Sequence, residues 1–196
     1  MTLRATDLTY SALFVCLMAI GANITVWFPM LAIPIGGATV PLSLQTFFAI
    51  IAGLILGRKL GSLSMLVYML VGVVGIPVFA GLKAGPMILI SPTGGFIISF
   101  ILVAYFAGYI VEKCNKATFP IFTVAALCGL IVNYVFGVTY MYLAMNTWLN
   151  LDIAYHVAWI GMIPFIIKDT ALAILAATLV VQIGKRISLK TVQSPL

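Results

Sequence analysis

The chain has 196 residues, of which 64% are hydrophobic and only 7% are charged. A soluble globular domain carries about 25% charged residues, so this composition excludes an ordinary soluble protein and indicates an integral membrane protein. A net charge of +6 is compatible with nucleic-acid binding, but the basic residues lie between apolar runs rather than along one face. Membrane topology accounts for them better, and we predict no nucleic-acid partner.

Apolar runs follow one another along the chain, and a helix that crosses the lipid bilayer needs about 20 such residues. The runs are 8–28, 40–57, 60–75, 94–111, 119–144 and 157–183. The sequence therefore predicts an all-α integral membrane protein, a single bundle of six transmembrane helices. We expect one transmembrane substrate-binding domain over residues 1–196, with outer loops that cap a ligand cavity.

The Lys and Arg residues predict the orientation, because cytoplasmic loops of membrane proteins are enriched in them. With a cytoplasmic N-terminus, the residues that fall inside are Arg4, Arg58, Lys59, Lys113, Lys116, Lys185, Arg186 and Lys190. Only Lys83 and the membrane-embedded Lys168 do not. We expect both termini in the cytoplasm and the connections 29–43, 76–93 and 145–156 on the outer side.

Two of the outer connections are rich in Gly and Pro yet almost free of charge. The first, 29–43, should pack as a cap on the bundle. The second, 76–93, contains Phe79 and Lys83 among glycines and prolines that enforce turns and allow the backbone to approach a ligand closely. We interpret it as a folded lid; the alternative is a plain connector whose lysine extends to the membrane surface.

Two adjacent charges, Lys168 and Asp169, interrupt the last apolar run. A charge near the bilayer centre costs on the order of 2.5–3.5 kcal/mol on insertion scales, so it normally faces protein or a water-filled cavity. Neighbouring helical residues point about 100° apart and do not form an ideal pair, so we expect each to have another partner. Pro164 favours a helix start or kink, which would place Asp169 near a first turn in the outer part of the membrane.

These two charges have two interpretations. They line a polar ligand cavity, or the helix dipole stabilises the Asp while the Lys extends to the surface. The first interpretation is favoured, because charges inside a membrane are functional by default.

Gln45 and Thr46 follow Pro41 and should lie in the first turns of a helix that begins late. Discontinuous helices of this kind often line the binding sites of transporters. The alternative is ordinary capping by Ser43 and Thr46.

Asn133 and Tyr134 lie within the fifth apolar run. A buried amide must find a partner, so Asn133 either joins neighbouring helices or contacts a ligand. The sequence leaves both alternatives open.

Motifs for catalysis and metal binding are missing from the sequence. It has no Walker-type loop, no His-Glu-x-x-His and no Gly-x-Ser-x-Gly, and its cysteines at 16, 114 and 128 lack the spacing of a metal site or disulfide framework. We therefore predict no catalytic residue, cofactor or metal. Energy for uphill transport would come from a partner protein or an ion gradient. An intramembrane enzyme built on Asp169, Asn133 and His156 is disfavoured by the scarcity of acid/base pairs.

Four segments together resemble one family. They are Pro41-Leu42-Ser43-Leu44-Gln45-Thr46-Phe47, the glycine-rich run 72–81, Pro92-Thr93-Gly94-Gly95-Phe96, and Pro164-Phe165 with Asp169. In this order, over residues 8–179, the chain resembles BioY, the biotin-specific substrate-capture subunit of energy-coupling-factor vitamin importers.

The resemblance implies a six-helix subunit of the cell membrane that binds biotin near the outer surface. It also implies two kinds of protein partner, a transmembrane coupling protein and two ATPases that power uptake. In the family the first helix docks on the coupling protein through small residues spaced by four, which here are Ala12 and Cys16, with Cys16 in place of the usual Ala. Family members commonly place a Lys one turn after the Asp, where this chain has Leu172.

The chemistry of biotin suggests a role for each polar residue of the predicted site. We expect Asp169 and Asn133 to contact the ureido edge with help from Gln45, and Phe79 and Tyr134 to cover the apolar ring. Either Lys168 or Lys83 would hold the carboxylate or balance Asp169. The predicted ligand-binding residues are Gln45, Phe79, Lys83, Thr93, Asn133, Tyr134, Lys168 and Asp169. A self-sufficient, gradient-driven vitamin carrier is the alternative function.

Overall fold

The computed structural model describes residues 4–28, 32–35, 38–114 and 118–186. The elements in these ranges are α1 (Ala5–Ala22), α2 (Ile24–Trp27), β1 (Ala32–Ile35), β2 (Ala38–Pro41), α3 (Gln45–Val74), α4 (Met87–Ile90), α5 (Gly94–Cys114), α6 (Phe119–Thr147) and α7 (Tyr155–Arg186). Within them, α1, α3, α5, α6 and α7 are long and apolar enough to cross a membrane. The described part of the chain is therefore almost entirely helical, as the composition predicts.

The helix α3 is broken at Gly57, whose φ of 77° and ψ of 178° are not helical. Only Gly adopts such a conformation readily. Beyond the break the chain folds back, since a Cβ on Gly61 would lie 3.0 Å from the carbonyl oxygen of Ala52. Gln45 Nε2 also donates a hydrogen bond to Tyr68 Oη over 2.9 Å, whereas a straight helix would separate these residues by about 35 Å. The helix α3 therefore consists of two antiparallel halves.

These halves, 45–56 and 58–74, lie at the positions of the second and third predicted apolar runs. Glu112 of α5 holds the second half at its start: its Oε1 accepts the backbone N–H of Arg58 over 2.8 Å, and its Oε2 lies 3.0 Å from Arg58 Nε. A carboxylate suits the N-terminal end of a helix, where backbone N–H groups lack partners. This capping interaction was not predicted from the sequence.

Small residues let α3 and α5 pack closely. A Cβ on Gly53 would lie 2.5 Å from the carbonyl oxygen of Ala104, and one on Gly108 would lie 2.3 Å from the backbone nitrogen of Arg58. Such contacts between small residues are typical of membrane helices. The glycines spaced by four in α3 therefore serve packing at Gly53 and Gly61, and the chain reversal at Gly57.

The connection 29–43, predicted to be an outer loop that caps the bundle, contains the antiparallel strands β1 and β2. Ala32 pairs with Pro41 and Ile35 pairs with Ala38. The pattern has a local cause that the all-α prediction overlooked: two short apolar, β-branched runs flank a Gly-Gly sequence, which is a hairpin signal. The side chains of the hairpin lie outside the described residues, and so does the predicted packing of this connection over the bundle.

The prediction that a helix starts near Pro164 is wrong, whereas a kink at Pro164 stays a prediction. Pro164 lies inside α7, which starts at Tyr155, so Asp169 lies well within the helix and not in its first turn. A proline removes a hydrogen bond of the helix, but neighbouring groups in a membrane protein can compensate for this loss.

Candidate ligand-binding site

A cavity of about 290 Å³ opens between the connection 76–93, hereafter the lid, and the helices α3, α5, α6 and α7. This volume is close to the lower end of the range for small-molecule sites, about 300–1,000 Å³, and suits a compact ligand. All the residues predicted to bind ligand line it: Gln45, Phe79, Lys83, Thr93, Asn133, Tyr134, Lys168 and Asp169. Residues far apart in sequence thus meet around one hollow.

Asp169 is buried in the wall of this cavity, with only 4% of its surface exposed. Its Oδ2 accepts a hydrogen bond from the Tyr134 hydroxyl over 2.8 Å. Its Oδ1 lies 2.8 Å from Lys168 Nζ, but this contact lacks hydrogen-bond geometry, and Oδ1 accepts no hydrogen bond from the described residues. A buried polar atom without a hydrogen-bond donor is uncommon, and here it belongs to a residue that lines the cavity.

Lys168 is committed to protein partners. Besides the ion pair with Asp169, its Nζ donates a hydrogen bond to the carbonyl oxygen of Ser43 over 2.5 Å. The contact with Asp169 lacks hydrogen-bond geometry, as expected for neighbouring helical residues that do not form an ideal pair, and it agrees with the alternative in which Lys168 balances Asp169. The expectation that each also has another partner is confirmed by Ser43 and Tyr134.

The Asn133 amide joins three helices at the cavity wall. Its Oδ1 accepts a hydrogen bond from Ser99 Oγ of α5 over 2.7 Å, and its Nδ2 donates to Thr46 Oγ1 of α3 over 3.4 Å. An amide nitrogen carries two hydrogens, so one of them is available to a ligand acceptor. Of the two alternatives, helix joining is therefore observed, and the amide also faces the cavity.

Gln45 and Thr46 lie in the first turn of α3, as predicted. The N-cap of α3 is Leu44, and no side-chain hydrogen bond caps the helix, so the capping interpretation of Ser43 and Thr46 is wrong. Gln45 Nε2 donates to Tyr68 Oη, while Gln45 Oε1 makes no hydrogen bond to a described residue. Gln45 therefore offers the cavity an acceptor.

Phe79 forms part of the apolar wall and is 1% exposed. A Cβ on Gly72 would lie 2.2 Å from Phe79 Cζ, so the ring fits against the bare backbone of Gly72. The ring of Tyr68 meets it edge-on at 5.7 Å. The prediction that the lid contributes Phe79 to the site is thus matched by the geometry.

The lid turns sharply between Phe79 and Lys83, whose backbones exchange two hydrogen bonds of 3.0 and 3.3 Å. Gly81 and Leu82 have left-handed φ values of 75° and 55°, which let the turn close. The Lys83 side chain is exposed and makes no hydrogen bond or ion pair with the described residues. It lines the cavity as an exposed cation whose side chain has no partner among the described residues.

The second half of the lid is fixed to α6. The Tyr140 hydroxyl donates to the carbonyl oxygen of Leu89 over 2.7 Å, and Trp148 Nε1 donates to that of Ile90 over 2.8 Å. Thr93 follows, exposed at the cavity edge, with its hydroxyl 3.0 Å from that of Ser91. The lid thus returns to the bundle just before α5.

Several residues important to the geometry were not identified from the sequence. The cavity also has the apolar lining residues Ile88, Phe96, Ile97, Phe100, Met141, Met162 and Phe165. Nothing distinguishes these residues in a chain that is apolar nearly throughout. Tyr68 could have been identified from the sequence, because a tyrosine hydroxyl inside an apolar run needs a hydrogen-bond partner.

Two other predictions concern residues outside the cavity. Ala12 and Cys16 are exposed on α1, as residues that dock a partner must be. His156 is exposed and does not line the cavity, so the residues of the enzyme alternative are not brought together.

Comparison with known proteins gives consistent matches over nearly the whole chain. The model of the BioY family matches residues 1–189. The BioYB protein of Bacillus subtilis (strain 168) is 42% identical over 173 residues, which cover 88% of this chain and 84% of that protein. The biotin transporter BioY of Thermotoga maritima is 33% identical over 179 residues, which cover 91% of this chain and 96% of that protein.

A solved structure matches as well. It is the S-component for biotin from an ECF-type ABC transporter, with a TM-score of 0.69 at 26% identity, covering 94% of this chain and 95% of that one. The matched proteins are transporters and not enzymes, and the described helices are apolar enough to span a bilayer. Together these findings identify a multi-pass membrane protein.

Proposed function

The chain belongs to the BioY family, and we propose that it captures biotin at the outer face of the cell membrane for an energy-coupling-factor importer. One observation carries the proposal: Asp169, whose buried Oδ1 has no hydrogen-bond donor among the described residues, lines a compact cavity together with Gln45 and Asn133. A polar niche with an apolar wall is what a small amphipathic ligand requires.

The ureido ring of biotin complements the polar atoms of the niche. It has two N–H donors and one carbonyl acceptor. Asp169 Oδ1 and Gln45 Oε1 offer acceptors, and the second hydrogen of Asn133 Nδ2 offers a donor. Each matched hydrogen bond contributes about 0.5–1.5 kcal/mol, and more where a charge takes part.

The apolar part of biotin has a wall to pack against. Phe79 closes the cavity from the lid, and Tyr134 contacts Phe96 edge-on with 6.0 Å between ring centroids. We propose that these rings cover the sulfur-containing ring of the ligand. Tyr134 would also orient Asp169 through its hydroxyl.

We propose that Lys83, rather than Lys168, holds the carboxylate of biotin. Lys168 already neutralises Asp169 and donates to Ser43, so binding a second carboxylate would weaken both contacts. Lys83 lines the cavity, and its side chain has no partner among the described residues. The carboxylate tail would then extend outward from the ureido ring toward the lid.

We further propose that the chain forms one domain with six transmembrane spans and both termini in the cytoplasm. The fold-back of α3 at Gly57 supports this count, since it divides one long helix into two. The expected partners are a transmembrane coupling protein, which would dock on Ala12 and Cys16 of α1, and two ATPases. These docking roles are carried over from the family resemblance.

Two measurements test the proposal. Isothermal titration of biotin into the purified chain, without any ATPase, should show nanomolar or comparably tight binding. Absence of binding both in detergent and in lipid would contradict it. Proteoliposomes that contain this chain alone should not accumulate biotin; accumulation driven by an ion gradient would favour the self-sufficient carrier instead.

A further inference from the structure

We propose that Asn23 latches the lid over the cavity and thereby sets how long the ligand stays bound, without touching the ligand itself. The inference deepens the proposed function and rests on it, because it requires a ligand beneath Phe79. Asn23 lies at the junction of α1 and α2, is 3% exposed and does not line the cavity.

The Asn23 amide holds both ends of the lid turn. Its Nδ2 donates to the carbonyl oxygen of Val78 over 3.3 Å, and its Oδ1 accepts the backbone N–H of Leu82 over 2.7 Å. Nδ2 also donates to the carbonyl oxygen of Ala19 over 3.0 Å, which fixes the amide on α1. One side chain thus fastens the turn that carries Phe79 to the first helix.

The turn needs such a fastening. Leu82 has a left-handed φ of 55°, a conformation that is disfavoured for a residue with a side chain. The bond from Leu82 to Asn23 Oδ1 compensates for this strain only while the lid is closed. An interaction that exists in only one of two states shifts the balance toward that state.

The latch is also connected to the cavity. The carbonyl oxygen of Val78 accepts a second hydrogen bond, from the Tyr68 hydroxyl over 3.0 Å, and Tyr68 accepts one from Gln45 Nε2 over 2.9 Å. Gln45 lines the cavity. A continuous set of hydrogen bonds therefore runs from a cavity residue through the lid to α1.

The test is the dissociation rate of biotin from the Asn23→Ala variant of the purified chain. Loss of the bonds between Asn23 and the lid should raise koff about tenfold, while kon stays unchanged or increases because the lid opens more easily. Substitution of a residue that only stabilises the fold would lower the melting temperature without raising koff while kon is kept or increased. An unchanged koff would overturn the inference.

The chain offers a matched control in Asn146. Its Nδ2 donates to the carbonyl oxygens of Tyr142 and Ile153, each over 3.0 Å, and its Oδ1 accepts the N–H of Ile153 over 2.8 Å. This repeats the bonding pattern of Asn23, but between the last turn of α6 and the connection that follows it, neither of which lines the cavity. Asn146→Ala should leave koff as in the wild type; an equal increase in both variants would overturn the inference.

Two further measurements cover the cases in which biotin is not the ligand or Asn23→Ala does not fold. Hydrogen exchange of the ligand-free chain should show faster exchange at the Leu82 amide in Asn23→Ala than in Asn146→Ala, and equal exchange would count against a latch even if biotin were not the ligand. If Asn23→Ala does not fold, Asn23→Asp keeps the acceptor for Leu82 but loses the donor to Val78. Its koff should then exceed that of the wild type, and a wild-type koff would again overturn the latch.

Discussion

The hydroxyl of Tyr134 donates a hydrogen bond of 2.8 Å to Asp169 Oδ2, although the two residues are 35 positions apart in the sequence. This bond joins α6 to α7 and leaves Oδ1 without a hydrogen-bond donor among the described residues. We expect Tyr134→Phe to weaken biotin binding about tenfold or more, because a hydrogen bond to a charged group contributes about 1.5–3 kcal/mol. Isothermal titration measures the change.

The control for this prediction is Tyr105→Phe. Tyr105 is exposed on α5 and does not line the cavity, so loss of its hydroxyl should leave the affinity unchanged. If Tyr134→Phe bound biotin as tightly as the control, the hydrogen bond would have no part in binding.

Lys83 and Lys168 can be distinguished with two ligands, biotin and its neutral amide. Lys83→Met should lose affinity for biotin but keep its affinity for the amide, because only the first has a carboxylate. Titration of both ligands into the wild type and the variant gives the coupling free energy between Lys83 and the ligand carboxylate. An equal loss for both ligands would show that Lys83 does not contact the carboxylate.

Lys168→Met should behave differently. It leaves the buried Asp169 carboxylate without its counter-ion, which is costly for a buried pair, so affinity for both ligands and the melting temperature should fall together. A selective loss of biotin affinity in this variant would instead assign the carboxylate to Lys168.

Gly72→Ala tests the packing of the Phe79 ring against the backbone of Gly72. The new Cβ would lie 2.2 Å from Phe79 Cζ, so the ring must leave its position in the cavity wall. We expect at least about tenfold weaker biotin binding, since burial of an aromatic side chain contributes about 1.5–3 kcal/mol. Gly161→Ala is the control, because a Cβ there meets nothing within 4 Å.

Gly57→Ala tests the fold-back of α3. The φ of 77° at this position strains any residue with a side chain, and the new Cβ would lie 2.6 Å from Glu112 Oε1. Such strain costs on the order of 1–3 kcal/mol, so thermal unfolding in detergent should occur several degrees lower than in the Gly161→Ala control. An unchanged melting temperature would mean that the reversal does not depend on Gly57.

The sequence predicted most of the helical architecture, because long apolar runs have few alternatives in a membrane protein. It did not predict the strands in the connection 29–43 or the start of the last helix well before Pro164. The first depends on a Gly-Gly hairpin signal, and the second on neighbouring groups that compensate for the helical hydrogen bond lost at Pro164. The break at Gly57 was not predicted either, because glycines spaced by four residues usually serve helix packing in membrane proteins.

The candidate site was more predictable than its contacts. Charged and amide groups stand out against an apolar background, so Asp169, Asn133 and Gln45 were identified by their cost of burial. Their partners were not, because a hydroxyl such as that of Tyr68 or an amide such as that of Asn23 becomes informative only once the fold places it beside the lid.

The most direct test of the whole account is isothermal titration of biotin into the purified chain and its Asp169→Asn variant. The substitution keeps the shape of the side chain but removes the charge that would bind the ureido N–H. We predict tight binding to the wild type and about 10–100-fold weaker binding to a variant that still folds. Equal affinities would contradict the central claim that Asp169 in this cavity recognises the ligand.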